Sequence, residues 1–392
     1  MARITLEKLN WYANRLRAMG PAEIVHRGRE YYLRRSAGRR EFGWSAFDIG
    51  DGALPRLPLG PHDTARAGGD VFDAVVQAQP ELLERARQLV VEGPQLLGQS
   101  FPAFSGGRRD WNFDPVTGGS WPAGRYCFDI PFRHAHELGD IKFLFELNRL
   151  QYLVPLAAIA HYRHEPHLLE HCLGELENWI DENPPFQGIA WSSGIELSLR
   201  IISIMLIVTF AGGEAFSSSL RRKIRSTLAA HVFWLARYPS RFSSANNHLI
   251  AEEAALFLIG SLWADCPSGE SHARHARKVL IDEAQKQIHA DGVGGEQSPT
   301  YTAFSLEFLL LARLVARNSG TPFPEAYDDR LAAAAAHFKC ITDQAGNLPR
   351  IGDDDEGRVI YAGVDREHDY VNSIASCIAS ELGRAELAPV RC

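Results

Sequence analysis

The sequence predicts an all-α protein whose central part is a row of stacked helical hairpins. Apolar residues recur at three-and-four spacing in eight segments, and the two-residue alternation typical of strands is almost absent. Alternate segments begin near residues 141, 194, 246 and 299, so their starts are 53, 52 and 53 residues apart. A constant step of this size indicates repeated hairpins that extend as a solenoid or curl into a ring. The segments are residues 141–162, 167–180, 194–211, 216–238, 246–264, 270–290, 299–318 and 325–342.

The region before the hairpins has a different texture. Residues 41–140 are rich in glycine, proline and aromatic side chains, and one helical pattern, residues 71–92, lies within them. We therefore expect three parts. Residues 1–140 form a helix and a loop-rich region that packs on the hairpins, residues 141–345 form the hairpins, and residues 346–392 form a short C-terminal segment.

The composition is that of a soluble globular protein, with 45% hydrophobic and 23% charged residues. A net charge of -7 and the lack of a long basic run argue against a general nucleic-acid binder. The longest apolar run, residues 201–211, is shorter than the roughly 20 residues that a bilayer requires. The first 20 residues lack the continuous apolar stretch of a secretory signal. The sequence thus predicts no nucleic-acid partner, no membrane span and no export signal.

No metal or other cofactor is predicted. The six cysteines are scattered and form no Cys-x-x-Cys pair, which argues against a zinc knuckle or a dithiol redox motif. Four histidines, His161, His164, His167 and His171, lie close together in the sequence. Because Pro166 interrupts their helix and no carboxylate has matching spacing, a metal cluster is not the favoured interpretation.

Two helix beginnings carry residues suited to acid–base chemistry. Asn246, Asn247 and His248 open one apolar helical segment, where unpaired backbone N–H groups and the helix dipole attract anions. Tyr301 lies in the first turn of another helix, after a Gly-Gly-Glu-Gln-Ser-Pro sequence. An amide, an imidazole and a phenol in one place could hold a sugar carboxylate and move a proton beside it. This combination suggests a polysaccharide lyase.

Each of these residues also has a structural interpretation. Asn246 and Asn247 have the side chains that cap helices, and capping is as well supported as catalysis. A single histidine such as His248 is more often a satisfied structural residue. Without its partner motifs, Tyr301 would be read as core packing.

Five short motifs occur in order along the chain, and together they resemble one known family. They are residues 139–149 (GDIKFLFELNR), 191–200 (WSSGIELSLR), 246–248 (NNH), 296–301 (EQSPTY) and 348–355 (LPRIGDDD). The set resembles the α-helical N-terminal part of the heparinase II/III-like polysaccharide lyases, which includes relatives acting on heparan sulfate and alginate.

The resemblance implies an incomplete (α/α) toroid followed by an antiparallel β-sandwich, with the active site in the cleft between them. Only about one strand and one helix are expected after residues 352–357, so the sandwich and its expected catalytic histidine or tyrosine have no counterpart in this sequence. A partner or a missing domain would then complete the cleft. The family resemblance also implies a periplasmic location, whereas the absence of a visible signal leaves a cytoplasmic one open.

For a lyase of uronic-acid polysaccharide, three residues are expected to be catalytic. Asn247 and His248 would neutralise the carboxylate, and Tyr301 would take the α-proton, protonate the leaving oxygen, or both. A free tyrosine has a pKa of about 10, so a neighbouring imidazole or cation must favour the phenolate. The expected substrate-binding residues are Trp191, Glu196, Arg200, Asn246, Glu296, Gln297 and Arg350.

The roles within that binding set differ. Trp191 would stack on a sugar ring, and Arg200 would bind a carboxylate or sulfate. Glu196 and Arg200 also have the spacing of a helical ion pair, and the two interpretations have equal support. Glu296 and Gln297 would orient sugar hydroxyls.

Two other classes of function remain open. The chain could be a non-catalytic glycan-binding toroid or a truncated, inactive lyase. It could also be an (α/α)-barrel glycoside hydrolase, for which Glu196 and Glu296 are the one carboxylate pair that the sequence offers.

Overall fold

The computed structural model describes residues 14–15, 17–40, 42–59, 81–131, 136–354, 357–361 and 370–389. These residues are mostly helical, and their strands amount to one short antiparallel pair, β1 (Gln95–Leu96) and β2 (Gln99–Ser100). The helices are α1 (Pro21–Ala37), α2 (Glu81–Glu92), α3 (Ile141–Asn148), α4 (Leu153–Arg163), α5 (Pro166–Glu182), α6 (Gly194–Ala211), α7 (Ser218–Arg237), α8 (Asn247–Leu262), α9 (Gly269–Gln287), α10 (Pro299–Asn318), α11 (Glu325–Ile341) and α12 (Tyr370–Leu382). The all-α prediction is confirmed.

The helices form an incomplete (α/α) toroid of hairpins, as predicted. An inner row runs from α4 through α6, α8 and α10 to α12, each helix packing on the next. The other helix of each hairpin lies outside this row, so that α5 packs on α4, α7 on α6 and α9 on α8. The apolar faces of both rows meet in one continuous core.

The inner helix α6 shows why its sequence is almost entirely apolar. It is long and apolar enough to cross a membrane, but 94% of its length is buried inside the protein. Neighbouring helices surround it on several sides, so nearly every position requires an apolar side chain. Among the described residues, α6 is the one helix that meets the length and hydropathy test, and its burial is that of a core helix.

The predicted boundaries hold for most hairpin helices but fail at the first. The single helix expected over residues 141–162 is broken, because α3 ends at Asn148 and α4 begins at Leu153. Leu150 has a left-handed backbone with φ of 59°. Pro155 also lacks the N–H that would continue the helical hydrogen bonds through this point. The helix expected over residues 71–92 is observed as α2, and its residues 71–80 lie outside the described part.

Loops of the N-terminal part pack against the helical hairpins. Trp111 and Trp121 are almost completely buried. Trp111 donates its indole N–H to Asn178 of α5 at 2.9 Å. The aromatic loop of residues 111–122 therefore packs on the hairpins.

Candidate active site

The beginning of α8 is capped by the residue type that the sequence suggested. The side-chain oxygen of Asn246 accepts a hydrogen bond from the backbone N–H of His248 at 3.1 Å. The backbone oxygen of Asn246 accepts another from Gln287 of α9, also at 3.1 Å. The amide oxygen of Asn246 is thus already used as a helix cap, which is the structural role considered for this residue.

Asn247 lies one position further and has a different environment. It is only 2% exposed, and its backbone N–H donates to Oε1 of Glu296 at 3.1 Å. Its own side-chain oxygen is buried without a hydrogen-bond partner among the residues that the structure describes. A buried, unsatisfied amide oxygen is costly and rare in a folded protein, so Asn247 is not held in place by a hydrogen bond to its side-chain oxygen.

The beginning of α10 is built in a similar way. Ser298 is its cap and accepts the backbone N–H of Tyr301 at 3.2 Å. Glu296 and Gln297 are exposed in the turn before it, and Gln297 has a left-handed backbone with φ of 55°. Tyr301 is partly exposed, and so is His248 on α8. The two helix beginnings therefore present an imidazole and a phenol that solvent can reach.

The contact between Glu296 and Asn247 brings these two beginnings together. It joins the turn before α10 to the first residue of α8, although the two are 49 positions apart in sequence. The contact also has an electrostatic consequence. One N–H at the start of α8 is bound to a carboxylate and the next to Asn246, so the helix end itself attracts an anion less than the sequence suggested. Binding of an anion would depend on the side chains of Asn247 and His248.

A third segment reaches the same place from the C-terminal part of the chain. The hydroxyl of Ser298 donates to the backbone oxygen of Asp353 at 2.7 Å. Gly352 approaches so closely that a Cβ there would lie 2.9 Å from the Cβ of Ser298, and its φ is 72°. Arg350, two residues earlier, is exposed. The structure therefore places the Arg350 segment beside the turn that precedes Tyr301.

Trp191 does not belong to this surface. It is fully buried, its indole N–H donates to the backbone oxygen of Asn183 at 3.2 Å, and its ring packs against His231 with centroids 4.6 Å apart. In this position it cannot stack on a sugar. The expected role of Trp191 is contradicted, because the loop that carries it is folded into the core.

Arg200 and Glu196 are also structural. Arg200 is completely buried and donates to the backbone oxygens of Asn148 at 2.5 Å and Ala190 at 3.0 Å. Burial lowers its pKa to about 9. Glu196 is 3% exposed and pairs with Arg149 at 2.6 Å rather than with Arg200. These buried positions do not fit the expected roles of Arg200 and Glu196 in substrate binding. They also do not fit the pairing of Glu196 with Glu296 as the two carboxyl groups of a glycoside hydrolase.

Two carboxyl groups beneath the site were not predicted from the sequence. Glu252 and Glu253 lie on α8, are 1% and 2% exposed, and occupy an otherwise apolar helix. Glu252 accepts hydrogen bonds from the backbone N–H and the hydroxyl of Ser240, at 2.6 and 2.8 Å. A Cβ on Gly194 would lie 2.1 Å from Oε1 of Glu252, so the start of α6 lies in close contact with this carboxyl group. The sequence signal that could have predicted these buried carboxyl groups is the presence of two adjacent glutamates within an apolar run.

Burial sets the protonation of this pair. Desolvation raises the pKa of Glu252 to about 8, although the hydrogen bonds from Ser240 oppose it. Desolvation likewise raises the pKa of Glu253 to about 7, opposed by the charge of Arg241. Glu252 fastens the loop before α8 to the body of that helix through Ser240.

Two cavities of about 340 and 370 Å³ lie away from these helix beginnings. The first lies between α4 and the C-terminal end of α6, and the second between α2 and α4. Within the described ranges, no group of three or more His, Cys, Asp or Glu side chains is arranged to hold a metal ion. The candidate site therefore consists of the side chains at two helix beginnings, where His248 and Tyr301 are partly exposed and Asn247 is buried.

Comparison with known proteins gives a consistent picture. The model of the family described as Heparinase II/III N-terminus matches residues 84–362. A heparan sulfate lyase HepC mutant from Pedobacter heparinus is 18% identical, with a TM-score of 0.51, and the match covers 68% of this chain and 39% of that chain. The Heparinase III-BT4657 gene product is 14% identical, with a TM-score of 0.51 and coverage of 80% and 48%.

A crystal structure of heparinase III is 19% identical, with a TM-score of 0.50 and coverage of 61% and 37%. No curated protein matches the chain. The chain thus spans less than half the length of these solved structures. At such identities, the likeness to these structures shows the fold.

Proposed function

Because the chain belongs to the Heparinase II/III N-terminus family, we propose that it provides the helical part of a polysaccharide lyase that cleaves uronic-acid polysaccharide by β-elimination. The observation that supports this most directly is the hydrogen bond between Glu296 and the backbone of Asn247. It joins the beginnings of α8 and α10, which carry the amide, imidazole and phenol that the reaction needs.

In this proposal, the substrate carboxylate lies against Asn247 and His248. Removal of the proton α to that carboxylate creates an enolate with two negative charges on neighbouring oxygens, so the carboxylate must first receive hydrogen bonds. The amide N–H of Asn247 and a ring N–H of His248 would provide them.

Tyr301 would carry the proton. It would take the α-proton from C5, protonate the departing oxygen at C4, or do both, so that the C5–H and C4–O bonds break, a C4–C5 double bond forms and the C4 oxygen leaves protonated. A group of the completing domain or partner would make whichever of the two proton transfers Tyr301 does not. The cation of Arg350 would stabilise charge near the phenol, since its segment borders the same turn. Glu296 and Gln297, both exposed, would orient sugar hydroxyls.

The remainder of the active site belongs to the proposal as well. The solved relatives are more than twice as long as the matched part of this chain. We therefore expect an additional domain or a partner to complete the cleft, and we propose a periplasmic location, where acidic polysaccharides are processed.

The test is a panel of uronic-acid polymers incubated with the protein, with formation of the unsaturated product followed by its ultraviolet absorbance. Tyr301→Phe should reduce the rate by roughly 10²- to 10⁴-fold, the usual contribution of a general acid or base. The matched control is Tyr32→Phe on the exposed face of α1, which should keep the parental rate.

No product from the folded parent on any polymer, with or without the completing domain, would overturn the proposed reaction. If the parent instead bound a polymer without forming product, and binding survived Tyr301→Phe, the chain would be a glycan-binding toroid. This second function is tested as well because the chain matches less than half the length of the solved structures.

A further inference from the structure

The outward face of α1 is unusually apolar for an exposed surface. Four large side chains project from it, with exposed fractions of 44% for Ile24, 71% for Val25, 69% for Tyr31 and 70% for Tyr32. They are spaced at i, i+1, i+7 and i+8, which places them on one stripe of the helix. Gly28 lies between them, and a Cβ there would meet nothing within 4 Å. The stripe therefore stands open.

Arginines surround this stripe. Arg29 and Arg35 are exposed on α1 beside it, and Arg39 and Arg40 are exposed just beyond its end. Residues 21–40, all of which the structure describes, contain six Arg against two Glu, a local charge of +4, whereas the whole chain carries -7. Positive charge is thus concentrated on this helix and the residues just after it, and it complements an anionic partner.

The opposite face of α1 is attached to the body of the protein. Arg27 donates to the hydroxyls of Ser243 and Ser244, each at 3.2 Å. The ring of His26 packs on Phe242 with centroids 5.3 Å apart. These contacts fix the helix, so that its apolar stripe faces outward in a defined direction.

We propose that this face of α1 docks on an anionic lipid surface. A helix of this kind lies in the plane of a membrane interface, with its apolar side chains among the acyl chains and its arginines on the phosphates. The two tyrosines suit that depth, because their rings are apolar and their hydroxyls polar. Adjacent tyrosines project about 100° apart on a helix, and aliphatic side chains adjoin them. That arrangement makes a poor flat platform for a sugar ring, so lipid is the better match.

Docking would place the lyase site near the membrane. The segment Phe242–Ser244 contacts the inner face of α1 and leads directly into Asn246 at the start of α8. One helix diameter, about 10 Å, would then separate this segment from the lipid headgroups. The inference does not depend on the proposed reaction, because the residues that carry it are distinct.

The test is co-sedimentation of the full chain with vesicles of phosphatidylcholine alone, or with one third phosphatidylglycerol. We expect binding to the anionic vesicles only, weakened by added salt because exposed charges are screened. Each arginine near an anionic surface contributes roughly fivefold to partitioning. Replacement of Arg29, Arg35, Arg39 and Arg40 by Gln should therefore reduce binding by at least a hundredfold, and Tyr31→Ser with Tyr32→Ser should also weaken it.

The matched control for the arginine variant carries Arg56→Gln, Arg108→Gln, Arg125→Gln and Arg274→Gln, which remove four exposed arginines elsewhere on the surface. The control for the tyrosine variant carries Val91→Ser at another exposed apolar residue. Both controls should bind like the parent. Absence of vesicle binding, equal binding to neutral vesicles, or equal loss in the matched control would each overturn the proposal. If the parent binds acidic polysaccharide but no vesicles, and the α1 variants lose that binding, the partner of this face is a polysaccharide and the proposal is wrong.

Discussion

The beginnings of α6 and α8 look alike in sequence but differ in what surrounds them. Both carry polar or charged side chains next to an apolar helix. Around α6, Trp191 and Arg200 are fully buried, whereas at the α8 and α10 beginnings His248 and Tyr301 remain partly exposed. The comparison teaches that such a motif identifies only the beginning of a helix. Whether its side chains can bind a ligand or instead stabilise the fold depends on whether other segments of the chain pack over them.

Side chains from other parts of the chain pack over the beginning of α6. Trp44 of the N-terminal part packs on Trp191 with ring centroids 6.2 Å apart, and Phe186 stacks on it at 5.9 Å. Arg200 meets the ring of Trp179 at 4.5 Å. These aromatic contacts turn a potential sugar-binding surface into core.

The largest stability effect is expected from Arg200→Ala. This change leaves the backbone oxygens of Asn148 and Ala190 without their donors and opens a cavity. We expect a loss of about 3–5 kcal/mol in the free energy of unfolding, measured by urea denaturation. Arg350→Ala, at the exposed segment, should stay within about 0.5 kcal/mol. Equal effects of the two changes would contradict the contrast between the regions.

A stability effect that depends on pH is expected from Glu252→Gln. Burial raises the pKa of Glu252 to about 8 in the folded protein, so the folded state holds a proton that the unfolded state has released. Glu252 alone should therefore lower the free energy of unfolding of the parent, as pH rises from about 4.5 to about 8, by on the order of 5 kcal/mol. Urea denaturation at both ends of this window would measure it.

In Glu252→Gln this decline should become shallower, because the amide cannot ionise and its oxygen can still accept from Ser240. Glu253 retains its own contribution, since burial also raises its pKa, to about 7. Glu270→Gln, at an exposed glutamate, should leave the parental decline unchanged. An unaltered decline in Glu252→Gln would show that this carboxyl is not the titrating group.

The smallest stability effect is expected from Asn247→Ala. Its side-chain oxygen has no partner among the described residues, so its removal relieves a cost that offsets the lost packing. We expect a change within about 1 kcal/mol in urea denaturation, together with loss of lyase activity. Ser217→Ala, which removes an ordinary helix cap on α7, should cost about 1 kcal/mol and leave activity intact. A large destabilisation by Asn247→Ala would assign that residue to the fold.

Much of the helical layout could be predicted because periodicity is a local property. The bounds of α6 and α10 coincide with the predicted segments, and the cap of α8 lies at Asn246. The break between α3 and α4 was missed, since the apolar pattern continues through it and a left-handed residue such as Leu150 leaves no periodic signal. The constant step between helix beginnings predicted that the starts of α8 and α10 lie at the same end of the array. It did not predict the hydrogen bond between Glu296 and Asn247.

The sequence by itself determined that this chain builds helical hairpins, because the spacing of apolar residues dictates which faces must be buried. It also determined where helices begin, because Asn246 and Ser298 satisfy backbone N–H groups within their own first turns. Only the tertiary structure decided that Trp191, Glu196 and Arg200 serve the core, and that Glu252 is buried and holds Ser240. The physical reason is that burial depends on which distant segments cover a side chain, and no local pattern specifies that cover.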